Sequence, residues 1–281
     1  MSISELAGQY TSTKAISLAT KSYHESCFRS LGSELTSVDL ADLRAHHLLD
    51  ERQRQLENGV SETTVSKRIR TVVTWARSGA SRETEVDTSV LELKIPRGKA
   101  RKRDLDPQIA SKVWESYRAK PHWALAMWLT QYHGGGARIT DALLLPGKAE
   151  GQTRLKWTSS KTGFDHDVPL SQELLVLNHR HGDEHQFIAV PNWYPERAKK
   201  SSPWHRKQVG SATTRMNKEL RRRDLGITSH DARRAAAYNL LSKGVDVDTV
   251  RRIGGWHKAE MVLWYAAHVK NDKVDGAMDL L

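Results

Sequence analysis

Residues 79 to 105 divide this chain. Before them, apolar residues recur at helical spacing. Within them Ser, Gly and Pro appear, and then Lys94, Arg97, Lys99, Arg101, Lys102 and Arg103 crowd together. Chain breakers followed by a pile of like charge resist packing, so the stretch reads as a solvated connection between two folding units. The boundaries fall at 1–93 for a helical N-terminal domain, 94–104 for a basic linker and 105–281 for a larger C-terminal domain. A chain of 281 residues has room for both, and its 38% hydrophobic content can build a core in each.

In the first unit Tyr23, Cys27, Phe28 and Leu31 follow helical spacing and stop at Gly32. Ser37 is placed to cap a second helix carrying Leu40, Leu43, Leu48 and Leu49, ended by Asn58-Gly59. Ser61 is placed to cap a third, whose apolar stripe is Val65, Ile69, Val72 and Ala76. Residues 1 to about 15 are polar and are expected to be loose. Helices without strand alternation predict a small all-α unit. Lys67, Arg68, Arg70 and Arg77 lie off the third stripe, where they either grip phosphates or keep a face solvated. The same two readings hold for Lys99, Arg101 and Lys102 in the linker, as candidate contacts to a DNA backbone.

The second unit opens with a Trp-rich helical region, residues 110 to 132, broken at Pro121. Gly134-Gly135-Gly136 interrupts it before an amphipathic run at 137 to 145. Such a turn offers backbone N–H groups to an anion, yet it is no P-loop, because no Gly-Lys-Ser/Thr follows. Residues 155–160 and 166–170 are strand-like and are joined as a hairpin by Lys161-Thr162-Gly163-Phe164-Asp165. Further on, 171 to 187 is helical and then polar, 191 to 208 loop-like, and 209 to 223 a basic helix. Ser229 is placed to cap a helix reaching about 242. Residues 247 to 253 form a short helix stopped by Gly254-Gly255, and 259 to 267 another. The whole predicts a mainly α protein with a small antiparallel β-sheet, the C-terminal domain being mixed α+β.

Net charge is +11 and the isoelectric point is near 9.7, which favours polyanionic partners, nucleic acid ahead of anionic membrane. No apolar run approaches the roughly 18 residues of a membrane span. Met1-Ser2-Ile3-Ser4-Glu5 lacks the basic and apolar pattern of a secretory signal. The lone Cys27 excludes an internal disulfide and a cysteine metal cluster, and fits a reducing cytoplasm. His179, His181 and His185, near Asp183 and Glu184, have the composition of a zinc site, although no helix or strand pattern frames them.

Several side chains have two readings each. Arg138 either clamps a phosphate or pairs with Asp141. Lys161 sits at a hairpin tip, where most lysines are merely solvated. The Lys-Thr-Gly it begins also occurs in penicillin-binding enzymes, but no serine here has a lysine three residues later. His230 and Arg233 share one face at a helix N-terminus. There an imidazole and a guanidinium suit phosphoryl transfer, and a His also suits a cap. Trp256 offers a packing wall and an indole N–H. Tyr265 is either a packing residue beside Met261, Val262 and Trp264 or a nucleophile.

In order, Gly136-Ala137-Arg138-Ile139-Thr140-Asp141, the hairpin Lys161, His230-Asp231-Ala232-Arg233, Gly255-Trp256 and Tyr265 resemble the active site of the tyrosine site-specific recombinases, the phage integrase family. The resemblance covers residues of about 105 to 270, and the first 95 look like the family's core-binding domain. Trp stands where His is commoner. His257 follows it, but counting nine back from Tyr265 lands on Trp256. Arg234 occupies the place of a second His in many relatives, and the N-terminus looks too short for an extra arm-binding domain.

The resemblance implies catalysis with no metal, nucleotide or other cofactor. Tyr265 would attack a scissile phosphate and form a 3′-phosphotyrosyl link. Arg138 and Arg233 would stabilise the nonbridging oxygens, and Lys161 would protonate the leaving 5′ oxygen. His230 would assist proton transfer, Trp256 would hold the pocket, and Asp141 would orient its partners. The implied partners are double-stranded DNA with a specific recombination site and a homo-tetramer on synapsed DNA, with no membrane. The implied location is cytoplasmic and nucleoid-associated, in a bacterium or phage-infected host. The tail after Tyr265 is expected to dock on a neighbour. A type IB topoisomerase-like enzyme, a non-catalytic DNA-binding relative and a zinc hydrolase around His179 are the alternatives.

Overall fold

A computed structural model describes residues 1–13, 16–80, 85–96, 105–193 and 203–266. Contacts divide the chain into two units, Met1–Lys102 and Arg103–Leu281, each with its own core. Lys99, Arg101 and Lys102 lie outside the described residues, as does the tail beyond 266.

The first unit carries helices α1 (Ile3–Thr13), α2 (Leu18–Arg29), α3 (Ser33–Thr36), α4 (Ala45–Glu57), α5 (Glu62–Ala80) and α6 (Thr88–Leu91). The stripe of α5 is its centre: Val65, Ile69, Val72, Trp75 and Ala76 are fully buried. The polar N-terminus is not loose but helical. Ile3, Leu6 and Ala7 share a face that α1 buries, and α1 packs on α5; an i, i+3, i+4 triplet is enough when a partner helix covers it. The second helix also starts later than Ser37. Leu40 and Leu43 are buried in turns ahead of it, so their spacing imitates a helix that the backbone does not make. Asn58-Gly59 does end α4, with Gly59 at φ 75°.

The second unit carries α7 (Ile109–Ala119), α8 (Trp123–His133), α9 (Ile139–Ala142), β1 (Arg154–Thr158), β2 (Asp165–Pro169), α10 (Gln172–His181), α11 (Pro203–Arg222), α12 (Ser229–Ser242), α13 (Val247–Gly254) and α14 (Ala259–Ala266). Every residue of α8 from Ala124 to Gln131 is buried, because α7, α10, α11 and α12 surround it. A helix apolar on all sides belongs at the centre of such a layer. Its Trp128 indole donates to the Thr228 carbonyl at 3.1 Å, which ties it to the start of α12.

Helix α11 begins at Pro203, ahead of the expected start at 209; proline suits a first helical position. Thr228, not Ser229, stands at the N-cap of α12: its N–H and hydroxyl donate to Asp231 Oδ2 at 2.8 and 2.9 Å, the reach-back half of a capping box. β1 and β2 form an antiparallel hairpin in which Leu155 faces Val168 and Trp157 faces His166. Leu155 and Val168 enter the main core. A smaller core joins Ala237, Leu241, Val250, Trp256, Val262 and Tyr265 from the last three helices and the turn before α14. Among the described residues no helix is long and apolar enough to cross a membrane.

Candidate active site

The glycine turn after α8 shapes the first half of the site. Gly136 N–H and Ala137 N–H both donate to the Gln131 carbonyl, at 2.8 and 3.1 Å. That curl leaves the Gly136 carbonyl free to accept from Arg233 Nη1. It also sets Arg138 at the start of α9. Arg138 Nη1 donates to Ser159 Oγ at 2.8 Å. The ion pair expected with Asp141 is long, 3.9 Å. Asp141 is buried, and its Oδ1 accepts from the N–H and hydroxyl of Ser160 at 2.9 and 2.7 Å. Arg138 and Asp141 therefore grip two consecutive serines, and the residue that follows them is Lys161.

Lys161 itself is exposed in the loop between β1 and β2. The loop closes through Ser159 N–H to Phe164 O at 2.8 Å and Gly163 N–H to Ser159 O at 2.9 Å. No hydrogen bond or ion pair joins the Lys161 amine to the other candidates among the described residues.

The second half comes from α12 to α14. Because Thr228 and Asp231 complete the cap, His230 is not needed for it. Its ring keeps much of its surface exposed. The protein crowded around it, and next the charge of Arg233, hold its pKa below the ordinary imidazole value. Arg233, one turn on, is 3% exposed. Burial first, and Arg138 second, push its pKa down to about 10, so it stays charged at neutral pH. Its guanidinium carbon lies 4.0 Å from the centroid of the Trp256 ring; a desolvated contact of this kind is worth about 2 kcal/mol.

Trp256 reaches that position through a tight helix end. At the close of α13, Trp256 N–H donates to Arg251 O at 3.0 Å and Gly255 N–H to Arg252 O at 3.2 Å, a 6→1 and 5→2 pair that needs a left-handed residue. Gly255, at φ 61° and ψ 44°, supplies it. The Trp256 ring meets Tyr265 edge to face at 5.8 Å between centroids. Tyr265 is 9% exposed. His257 is exposed, so Trp256 is the residue that lies against both Arg233 and Tyr265.

Two buried donors here have no hydrogen-bond acceptor among the described residues: Arg233 Nη2 and Trp256 Nε1. Leaving such a donor unpaired costs about 1–3 kcal/mol. One of these donors belongs to the charged guanidinium of Arg233 and the other to the indole stacked on it, with Arg138 near enough to depress the pKa of Arg233; N–H groups of this kind suit an oxyanion. Among the described residues no three His, Cys, Asp or Glu side chains come together as metal ligands. His179 and His181 lie on α10, and His185 in the loop beyond pairs with Glu184 at 3.1 Å.

Three residues that no sequence motif singles out also meet here: Ser159, Ser160 and His166. Adjacency to Lys161 was the available signal for the serines. For His166 it was the alternation that places it opposite Trp157. In the first unit Lys67 is exposed, Arg68 donates to Gln55 Oε1 at 2.8 Å and Arg70 Nε to Ser66 O at 3.0 Å.

The sequence model of the Phage integrase family matches residues 114–272. Comparison with curated proteins gives no match. Among solved structures, a lambda integrase (75–356) dimer bound to a COC′ core site is similar at TM-score 0.70 and 17% identity, covering 94% of this chain and 95% of that one. A Tn1549 transposon integrase in complex with transposon right end DNA is similar at TM-score 0.73 and 15% identity, with 99% of each chain covered. A lambda integrase tetramer bound to a Holliday junction is similar at TM-score 0.71 and 16% identity, covering 94% of this chain and 77% of that one.

Proposed function

Because this chain belongs to the phage integrase family and is a tyrosine recombinase, we propose that Tyr265 is the nucleophile with which it cuts and rejoins DNA. The phenol oxygen attacks the scissile phosphorus, the bond to the 5′ oxygen breaks, and a 3′-phosphotyrosyl link holds the strand. The phenol proton passes toward His230, whose lowered pKa keeps it neutral and able to accept at neutral pH. Arg138, Arg233 and the Trp256 indole meet the charge that builds on the nonbridging oxygens. Lys161 gives the leaving 5′ oxygen its proton. Religation runs the same steps backwards from another 5′-hydroxyl.

The observation that carries this reading is the buried Arg233, stacked on Trp256 with an unpaired Nη2, while the same indole ring meets Tyr265. Lys67, Arg68 and Arg70 on α5, with Lys99, Arg101 and Lys102, contact the DNA backbone. The family favours recombination over relaxation of supercoiled DNA. The working form is a homo-tetramer on two synapsed copies of a specific site, a reading helped by the likeness to the Holliday-junction tetramer. The setting is a bacterial or phage-infected cytoplasm.

The test is a covalent one. The full chain is mixed with nicked suicide duplexes drawn from a randomised pool, and protein–DNA adducts are isolated under denaturing conditions. The intact protein is expected to capture DNA and Tyr265→Phe to capture none. An adduct that survives Tyr265→Phe would overturn the assignment.

A further inference from the structure

One buried titratable ring takes no part in these steps. His166, on β2, is 4% exposed. It stacks on its cross-strand partner Trp157, with ring centroids 4.4 Å apart and planes 5° from parallel. Phe164 meets it edge-on at 4.9 Å. Its Nδ1 lies 3.1 Å from the carbonyl of Ile253, in the last turn of α13. A carbonyl only accepts, so Nδ1 carries the ring proton. Burial holds the pKa below the ordinary imidazole value against the opposing effects of the Ile253 carbonyl and Asp141, so the ring is neutral with its single proton committed to that bond.

The other side of the ring meets Gly255. A Cβ there would stand 2.7 Å from both Cε1 and Nε2 of His166, so the imidazole fills the space that a side chain would take. His166 thus touches the end of α13 twice, at a carbonyl freed by the helix terminus and at the residue that hands the chain to Trp256.

A two-stranded hairpin is marginal by itself. This one is fastened at its base by Leu155 and Val168 and beside its tip by Arg138 and Asp141. The strand leaving the tip is tied by His166 to the end of α13, the helix that leads into Trp256. We infer that His166 is a positioning residue for Lys161: it locks the returning strand of the hairpin onto the end of α13, and so sets where the Lys161 amine stands relative to the phosphate. This rests on the reading of Lys161 as the proton donor. The ring touches no substrate.

The test separates placement of the acid from general damage. The DNA is a nicked duplex recovered by covalent capture on the intact protein, made with either oxygen or sulfur bridging to the 5′ carbon at the cleaved phosphate. A thiolate leaves without a proton, so the sulfur duplex reports every step except acid catalysis. His166→Phe keeps a ring and loses the donor; His166→Asn keeps a donor near the Nδ1 position.

His166→Phe is expected to slow cleavage of the oxygen duplex on the order of 100-fold, the scale of an ångström of misplacement. On the sulfur duplex it should fall by less than about threefold. Lys161→Ala should show the same split, and His166→Asn should recover roughly tenfold of the loss. Equal slowing on both duplexes, or no slowing, would overturn the inference. If His166→Phe does not fold, His166→Asn decides alone, and a loss confined to the oxygen duplex is required. A protein that captures no DNA at all, or a Tyr265→Phe variant that still does, would remove the underlying reading and this inference with it. Capture with no split in Lys161→Ala would remove the proton-donor role and the inference alone.

Discussion

Asp141 holds Ser160 twice through one oxygen, accepting from its backbone N–H at 2.9 Å and its hydroxyl at 2.7 Å. The carboxylate is buried, so it acts as a fixed peg for the residue just before Lys161. Asp141→Ala leaves the Ser160 N–H without that partner. It is expected to destabilise the C-terminal unit by about 1–3 kcal/mol and to slow adduct formation while Tyr265 stays in place. Denaturant midpoint and adduct rate, measured on the same sample, check both.

Arg233 is a charge the fold holds at a cost, because burial and Arg138 both disfavour its protonated form. A tetrahedral dianion should relieve that cost. Sulfate at ten times its dissociation constant is expected to stabilise the intact protein by about 1.4 kcal/mol, a rise of a few degrees in Tm for a unit of this size. Arg233→Ala should abolish the rise and the cleavage, yet keep DNA binding by gel shift. Equal loss of binding and cleavage would make Arg233 chiefly a binding residue.

Gly254 is required by close approach. A Cβ there would lie 1.8 Å from Cζ3 of Trp256. Gly254→Ala is expected to drive the indole off Arg233 and to cost about 1–3 kcal/mol, the scale of overpacking. Near-UV circular dichroism should show the loss of the Trp256 environment, and cleavage should fall with it.

Tryptophan emission should report acid destabilisation in each unit. Trp75 donates to His24 Nδ1 at 2.7 Å, and Trp114 to His133 Nε2 at 3.0 Å. Burial lowers both imidazole pKa values below 6.5. Well above 6.5 neither state is protonated and stability is full. As pH falls below it the unfolded chain binds protons first, so stability drops until the folded-state pKa is passed. Denaturant midpoints read by emission are expected to be lower at pH 5 than at pH 7, and His24→Asn should flatten the dependence in the first unit.

Some of this was legible in the sequence and some was not, for physical reasons. The stripe of α5, the break at Pro121, the hairpin and the stop at Gly254-Gly255 are local patterns, and the chain obeys them. The set Arg138, Lys161, His230, Arg233, Trp256 and Tyr265 could be picked out only by its resemblance to a family pattern, because each residue alone has an ordinary packing, capping or solvation reading. Helix α1 was missed because its apolar triplet is convincing only once α5 covers it. Leu40 and Leu43 misled because burial in turns can imitate helical spacing. The roles of Ser160 and His166 depend on partners 19 and 87 residues away, and no window of sequence displays a contact of that kind.

Helix α8 is buried on every side, and both halves of the site are measured from it. Its C-terminal turn leads into Arg138, and its Trp128 fixes the start of the helix that bears His230 and Arg233. It therefore serves as a ruler. Sequence inserted between the elements that pack on it lengthens the path of the chain without altering the separation of the two arginines. The site can keep its dimensions while the outer connections drift.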